Sequence, residues 1–396
     1  MKKKLLIAPL VILGIILIES FGTKAQGTWT QKANLTGAAR AGATAFSIGT
    51  KGYIGTGGSG STFNDLWEWN QGTNTWTQKA NLTGVARASA VAFSIGTKGY
   101  IGFGLDNTFS NLKDLWEWDQ STNLWSKKAD YPNSLFRTAV GFSIGTKGYI
   151  ALGDVNFWEW DQGTNIWTQK INFPGGNRDE GIAFSIGTKG YFGMGYNNSV
   201  SLGDFWEWDQ TSNSWSQKAS NSVGRDAAAG FSIGLKGYSG TGHDNNTGYY
   251  YNDFYEWDQA TNKWTAQASI TNIGRKSAVG FSIGTKGYLG TGYDGSNVLQ
   301  DLWEYNPAGA GVEEYSFYNS ISVFPNPITT QGTFSLNNEV KNASLRIYNV
   351  AGKEAKELTF SGKQAVFERE NLKSGIYFYQ IVSEETNIAI GKIIIQ

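Results

Sequence analysis

Hydrophobic and polar residues alternate in short runs along most of the chain, and no stretch shows the three-to-four-residue spacing of an amphipathic helix. The tetrapeptide Phe-Ser-Ile-Gly recurs six times, at intervals of 42 to 50 residues. Each copy is followed by Lys-Gly-Tyr and then by an aromatic-Glu-aromatic triplet, and an Asn-rich turn with a Trp closes each of the first five units. Because turns that contain Gly or Asn separate these segments, each unit predicts four short antiparallel strands.

The two ends of the repeated region predict how it closes. The sixth unit stops at Trp303-Glu304-Tyr305 and lacks a fourth strand, whereas residues 28–33 duplicate residues 75–80 of the first unit. We therefore expect the N-terminal copy to complete the sixth sheet beside residues 302–305. This closure would join the ends of the array and remove its exposed strand edges.

Side-chain size also changes in a regular way within each unit. The first strand is rich in Ala, Gly, Ser and Thr, whereas the third and fourth strands carry the Trp residues. In a radial array of sheets the inner strands crowd around an axis, and large side chains fill the widening gaps between the outer strands. We therefore expect the 16 Trp residues to serve mainly in packing rather than as a platform for carbohydrates.

The composition changes after Tyr305, because all Trp residues lie at or before Trp303. Residues 307–319 are predicted to be a linker, since they begin with a run of Pro, Ala and Gly. Residues 320–396 contain several short alternating runs separated by turns, a pattern that favours a small Ig-like β-sandwich. The predicted fold class is therefore all-β, with a six-bladed β-propeller over residues 26–306 and a separate sandwich.

The first 25 residues have the layout of a secretory signal peptide. A basic start precedes the apolar run Leu5 to Ile18, and small residues surround a cleavage position before Gln26. The alternative is a membrane anchor, but this run is shorter than the roughly 20 residues that a span needs. No later segment is apolar enough to span, so we expect no transmembrane segment in the mature chain.

Composition excludes several kinds of chemistry. The chain has no Cys and one His, and its 33 basic residues balance 33 acidic ones. These counts exclude disulfides, Cys-ligated zinc and multi-His metal sites, and they argue against a general nucleic-acid binder. We expect no cofactor and no metal.

The order of these motifs gives the repeated region its resemblance to a known family. An Arg, a strand of small residues, a Tyr followed by a Gly pair, an aromatic strand and a Thr-Asn-x-Trp segment recur together, and this order resembles Kelch repeats over about residues 27–306. Kelch units usually carry adjacent glycines after the second strand, whereas only Gly57-Gly58 keeps them here. The resemblance implies that ligands bind over the mouth of the central channel.

Four motifs follow one another in the C-terminal segment. Their residues include Pro325, Asn326, Pro327, Gly352, Gly375, Tyr377 and Lys392. With these motifs in this order, the segment resembles the type A sorting domain of the type IX secretion system. This resemblance implies a Bacteroidota source, passage through the periplasm and delivery to the medium or to the outer-membrane surface by the type IX machinery acting on residues 320–396.

Candidate ligand-binding residues lie in the loops that the Kelch resemblance places on one face. An Arg precedes the first strand of every unit, and a residue present in every unit favours a structural role, although the residues beside it differ. The loops after the second strands also differ between units, which fits either ligand recognition or unconstrained drift, and the lone His243 with Asp244 could act as a general base. The candidates are Arg137, Arg178, Asp179, Glu180, Arg225, Asp226, Arg275, Asp154, Tyr196, His243, Asp244, Tyr293 and Asp294.

Two functions follow from this reading. The first is a secreted or cell-surface binding module, expected to be a monomer, for an unknown glycan, peptide or protein. It is favoured by the scarcity of catalytic side chains and by a scaffold that presents loops. The alternative is a carbohydrate-active enzyme that resembles sialic-acid epimerases. Such an enzyme would need arginines and carboxylates at the channel, and an inward carboxylate close to two converging arginines would favour it. We identify no catalytic residue from the sequence.

Overall fold

The computed structural model describes residues 26–133, 138–307, 322–349, 353–383 and 386–396. The chain divides into two compact units, Met1–Ala308 and Gly309–Gln396. Within the described residues the regular structure of both units is β-strand, which confirms the all-β class.

The first unit contains six four-stranded antiparallel sheets, here called blades 1 to 6. Blades 1 and 2 are formed by β2 (Thr44–Ile48), β3 (Lys51–Gly55), β4 (Leu66–Asn70), β5 (Thr75–Lys79), β6 (Val91–Ile95), β7 (Lys98–Gly102), β8 (Leu115–Asp119) and β9 (Leu124–Lys127). Blades 3 and 4 are formed by β10 (Ala139–Ile144), β11 (Lys147–Leu152), β12 (Phe157–Asp161), β13 (Ile166–Gln169), β14 (Ile182–Ile186), β15 (Lys189–Gly193), β16 (Phe205–Asp209) and β17 (Ser214–Lys218).

Blades 5 and 6 complete the unit, and blade 5 carries an additional two-stranded hairpin, β20–β21. Their strands are β18 (Ala229–Ile233), β19 (Lys236–Gly240), β20 (His243–Asp244), β21 (Tyr249–Tyr250), β22 (Phe254–Asp258), β23 (Lys263–Gln267), β24 (Val279–Ile283), β25 (Lys286–Gly290), β26 (Leu302–Asn306) and β1 (Thr28–Lys32).

The N-terminal strand closes the ring, as the sequence predicts. β1 pairs with β26 in blade 6, with Trp29 opposite Tyr305. The Trp29 indole nitrogen donates to the carbonyl of Ala268 at the end of blade 5, at 2.8 Å. At the other seam, the Gln71 amide of blade 1 donates to the Tyr288 hydroxyl of blade 6, at 2.7 Å. Both bonds join residues more than 200 positions apart, so closure depends on tertiary contacts.

A contact between neighbouring blades explains why Lys-Gly-Tyr accompanies every Phe-Ser-Ile-Gly. The Phe ring of one blade lies against the Gly of the next, so a Cβ on Gly99 would lie 2.2 Å from Phe46 and one on Gly148 would lie 2.4 Å from Phe93. The contact closes on itself between Phe281 of blade 6 and Gly52 of blade 1. Only glycine fits here, and the two motifs are therefore two halves of one interface.

The repeated Glu and Tyr residues form a second set of contacts between blades. In blade 1 the Tyr53 hydroxyl donates to Glu68 at 2.8 Å and accepts from Gln120 of blade 2 at 2.7 Å. Burial, and then the hydrogen bond to Glu68, raises the pKa of the Tyr53 phenol far above its ordinary value. The Glu of the aromatic triplet is thus part of the blade architecture.

The second unit is a small β-sandwich-like sheet. The long strands β28 and β29 pair along their length with irregular register, and Phe334 in the first half of β28 packs at 4.9 Å from Tyr379 on β30. Ile328, Leu345, Ile347, Phe367 and Ile381 share this buried core. The strands are β27 (Ser322–Phe324), β28 (Gln331–Asn349), β29 (Glu354–Glu368), β30 (Gly375–Ser383) and β31 (Thr386–Ile395). In the portion of the chain that is described, no helix is long and apolar enough to cross a bilayer.

Candidate functional site

In each blade the loop before the first strand meets the loop after the second strand. In every blade except blade 3, one residue from each loop pairs by two reciprocal backbone hydrogen bonds of 2.9 to 3.0 Å. We call these paired positions, with the residue that follows the first of each pair, the mouth. The pairs are Ala41–Gly58, Ala88–Leu105, Asp179–Tyr196, Asp226–His243 and Lys276–Tyr293. In blade 3, the Gly153 N–H donates to the Thr138 carbonyl instead.

A chain of hydrogen bonds around the mouth links all six blades. The residues after the first paired position donate from one blade to the next, and Glu180 of blade 4 ends the chain by donating its N–H to the Thr138 hydroxyl of blade 3 at 2.9 Å. The backbone links are Ser89 to Gly42, Gly42 to Ser277, Ser277 to Ala227, and Ala227 to Glu180, at 2.7 to 3.0 Å. Since the four backbone links use no side-chain atom, they position these residues without selecting their side chains, whereas the last bond requires the Thr138 hydroxyl.

The repeated arginines lie in the framework beneath the mouth. Arg178, Arg225 and Arg275, candidates from the sequence, are at most 2% exposed, as are Arg40 and Arg87 of the other blades. Each places both terminal nitrogens on one Asp carboxylate. The partners are Asp204, Asp253, Asp301, Asp65 and Asp114 respectively.

These bidentate pairs use the guanidinium donors that a ligand would need. Burial by itself would raise the pKa of the Asp114 carboxyl, but Arg87 outweighs it and holds that pKa below its ordinary value. Arg178, Arg225 and Arg275 are therefore removed from the candidate ligand set, because they are buried and paired. Arg137 lies outside the described residues.

Three further candidates are Asp residues that accept hydrogen bonds from donors in their own loops. Asp244 accepts from the Asn246 N–H and the Thr247 hydroxyl, and the latter bond contributes most to lowering the pKa of the Asp244 carboxyl. Asp294 accepts from two backbone N–H groups of its own loop, with the same effect on its pKa. Asp154 accepts from the Asn156 N–H at 3.3 Å. Such turns are the usual role of Asp in loops.

Other candidates come together on the side of the mouth that blades 4 to 6 form. Burial, and then the charge of Asp226, raises the pKa of the Glu180 carboxyl, and Asp179 adds to this rise. Lys276 of blade 6 is the cation that opposes it. Carboxylates of blades 4 and 5 and an ammonium of blade 6 therefore act on one another on this side of the mouth. Among the described residues, no group of three or more His, Asp or Glu side chains is arranged to hold a metal ion.

Asp226 and His243 form the most buried polar contact of the mouth. Asp226 is fully buried, and its Oδ2 accepts from the Ser201 hydroxyl at 3.0 Å and from the Asn245 amide at 2.6 Å. Its Oδ1 lies 3.6 Å from His243 Nδ1, and neither atom has a hydrogen-bond partner among the residues that the structure describes. Burying such atoms without a partner costs free energy, which suggests a functional reason for them.

Sequence reasoning missed Tyr250. This residue pairs with His243 in the β20–β21 hairpin, and the two rings lie 4.8 Å apart. The Lys276 ammonium lies 5.8 Å from the centre of the Tyr250 ring, and the Tyr293 ring lies 6.0 Å from it on an adjacent blade. The one indication in the sequence was three consecutive Tyr residues in the loop of blade 5. Of the remaining candidates, Tyr196 is half-buried at the mouth of blade 4.

The sorting motifs of the second unit meet at its last strand. The Asn326 side chain, between Pro325 and Pro327, accepts from the Ile394 N–H at 2.9 Å, and Ile328 pairs with the same strand. Tyr377 is buried and donates to the Lys373 carbonyl. Gly375 begins β30, and Lys392 lies opposite Phe378 in β31. Gly352 lies outside the described residues.

Comparison with known proteins separates the two units. Residues 322–396 match the family of secretion system C-terminal sorting domains, which implies secretion by the type IX system and a secreted or cell-surface location. The solved structure described as "Structure of YjhT", a propeller protein, is similar to this chain with a TM-score of 0.57 and 16% identity. The match covers 68% of this chain and 95% of that chain. None of the curated proteins matches this chain.

Proposed function

We propose that this chain is a secreted or surface-exposed binding protein whose ligand contacts the mouth at blades 4 to 6. The observation that carries the proposal is the fully buried Asp226, whose Oδ1 faces His243 Nδ1 without a hydrogen bond among the described residues. Tyr250 and Tyr293 lie beside this pair and supply aromatic surface. Binding sites commonly combine a few oriented polar groups with such apolar surface.

The alternative enzyme, a sialic-acid epimerase-like protein, fits this arrangement less well. Two arginines that converge on a carboxylate at the mouth would favour it. The five repeated arginines that the structure describes are instead buried in bidentate pairs with Asp. This pairing favours a binding role over such chemistry.

The remaining expectations belong to the same proposal. We propose that residues 1–25 are a cleaved signal peptide, that residues 26–306 are a Kelch-type propeller, and that residues 307–319 link it to the sorting domain at 320–396. The mature protein would be a monomer that reaches the surface of a Bacteroidota cell through the periplasm. The contacts that support a Kelch-type repeat are the Phe–Gly and Tyr–Glu interfaces between blades.

The test uses the mature chain, residues 26–396, on glycan and peptide arrays. We expect a ligand whose binding is lost in Asp226→Asn and in Tyr250→Ala. Matched controls are Asp106→Asn and Phe109→Ala, because Asp106 and Phe109 belong to the blade 2 loop that follows the paired residue Leu105, and Phe109 is 83% exposed. Melting temperatures would establish that each variant is folded. Ligands that bind all four variants equally would refute the proposal.

A further inference from the structure

One lysine of this chain already occupies the charged side of the mouth. The Lys276 ammonium lies 5.8 Å from the centre of the Tyr250 ring, which is within the range for an attractive cation–π contact. The field of Lys276 also acts on the Glu180 carboxyl across the mouth. The same surroundings that attract this lysine would attract a lysine from another molecule.

Among the described residues around Lys276, carboxylates without an arginine partner outnumber the cations. Glu180 of blade 4 and Asp226 of blade 5 interact in this small region, and Lys276 is the described cation whose charge acts on Glu180. The nearby Arg225 and Arg275 add no free positive charge, because Asp253 and Asp301 pair with them. A second cation would therefore be attracted to this side of the mouth.

An independent feature points to a ligand at the same place. Asp226 is fully buried and His243 is 8% exposed, yet Asp226 Oδ1 and His243 Nδ1 have no hydrogen-bond partner within the described part of the chain. The other carboxylate oxygen of Asp226 has two donors. The free oxygen can accept a bond from an ammonium group, which carries three donors and no acceptor.

We propose that the side of the mouth formed by blades 4 to 6 binds a lysine side chain of an extended basic peptide, and that Lys276 is the internal competitor for this place. The inference rests on the proposed function and names its ligand. A lysine side chain is favoured over an amino sugar because its ammonium stands at the end of an unbranched stem, and the ammonium that lies near the Tyr250 ring in this structure is that of a lysine, Lys276.

The test measures binding of fluorescein-labelled hexalysine to the mature chain at 0.15 M salt, where long-range attraction between exposed charges is largely screened. Hexalysine acetylated on every side chain is the first control, since acetylation removes the charge and keeps the stem. A chitosan hexamer is the second, because it carries amines on sugar rings. We expect hexalysine to bind and both controls to bind at least about tenfold more weakly, the loss expected for one charge-assisted hydrogen bond.

The variants separate competition from general attraction. Lys276→Met should strengthen hexalysine binding at least about twofold, because it removes the competitor. Lys113→Met removes an exposed lysine of the blade 2 loop and should leave the affinity unchanged. Glu180→Gln and Asp226→Asn should each weaken binding about tenfold, whereas the charge-matched Asp106→Asn should not.

Several results would overturn the inference. Weaker or unchanged hexalysine binding in Lys276→Met would do so, and so would equal binding of the acetylated peptide or tighter binding of chitosan. If another ligand of the arrays depends on Asp226 and Tyr250 while hexalysine does not bind, this inference fails and the proposed function stands. If no probe depends on these residues, both fail.

Discussion

The two sides of the mouth differ in chemistry although they share one backbone. The paired positions in blades 1 and 2 are Ala41–Gly58 and Ala88–Leu105, whereas those in blades 4 and 5 are Asp179–Tyr196 and Asp226–His243. All four pairs make the same reciprocal backbone bonds, at 2.9 to 3.0 Å. The fold thus accepts either kind of side chain here, and the charged set in blades 4 to 6 is not a requirement of the propeller.

Blade 3 shows what the buried pair beneath the mouth contributes. In blades 1, 2, 4 and 6 a Trp indole nitrogen donates to the Asp that holds the Arg, as Trp67 does to Asp65. Blade 3 has Asn156 at this position, and the indole nitrogen of Trp158 is buried without a partner among the described residues. The Asp therefore serves both the Arg and the Trp.

The largest expected effect concerns this shared framework. Asp114→Asn in blade 2 and Asp253→Asn in blade 5 should each lower the free energy of unfolding by about 3–5 kcal/mol, because each leaves a buried Arg without its counter-charge. Denaturant unfolding at neutral pH measures both, with Asp106→Asn as the control, because the Asp106 carboxylate is half-buried and accepts only from its own loop. Effects that differ by more than about 2 kcal/mol would mean that the two sides do not share one framework.

The Asp114 variant also has a pH dependence. The folded-state pKa of Asp114 lies below its ordinary value, so its ionised form stabilises the fold above the ordinary Asp pKa of about 3.9. This contribution is lost as the pH falls through the lowered pKa. The difference in stability between wild type and Asp114→Asn should therefore shrink on acidification, and a constant difference would contradict the assignment.

A smaller effect is expected at the seams between blades. Gly99→Ala in blade 2 and Gly237→Ala in blade 5 place a Cβ 2.2 Å from Phe46 and 2.4 Å from Phe184. Each should cost about 1–3 kcal/mol of stability by overpacking, to a similar extent on both sides of the ring. Gly72→Ala is the control, because its nearest atom would lie at 3.5 Å. Thermal unfolding that separates neither variant from this control would refute the contact.

The smallest effect distinguishes the two sides of the mouth directly. The folded-state pKa of Glu180 is raised, so ionisation of this carboxyl destabilises the fold as the pH rises above the ordinary Glu pKa of about 4.3. Glu180→Gln should therefore raise the melting temperature at pH 7 and give no gain at pH 4 or below. Ser89→Ala, at the corresponding position of blade 2, should show no such pH dependence. A gain at pH 4 as large as at pH 7 would exclude a charge effect.

Much of the fold could be predicted because each blade packs against a neighbouring blade with nearly the same sequence. Phe46 of the first unit and Gly99 of the second belong to two different motifs. Both motifs occur in every unit at the same distance from each other, so the sequence shows that they belong together. The missing fourth strand of the sixth unit likewise required the N-terminal copy, and β1 occupies that place.

The candidate site was predicted only in part. Arg178, Arg225 and Arg275 were placed among the ligand candidates, yet burial and the pairing with Asp make them framework residues.

The sequence by itself determined the six repeats, their four strands, the closing strand and the separate sorting domain, because each follows from a motif that recurs or ends at a readable position. Only the tertiary structure decided which polar residues serve the fold and which form the mouth. Asp226, His243, Tyr250 and Lys276 come from three loops of blades 5 and 6 and meet only once these two blades have packed side by side. Nothing in their spacing along the chain predicts that contact, because it depends on the direction and burial of each side chain.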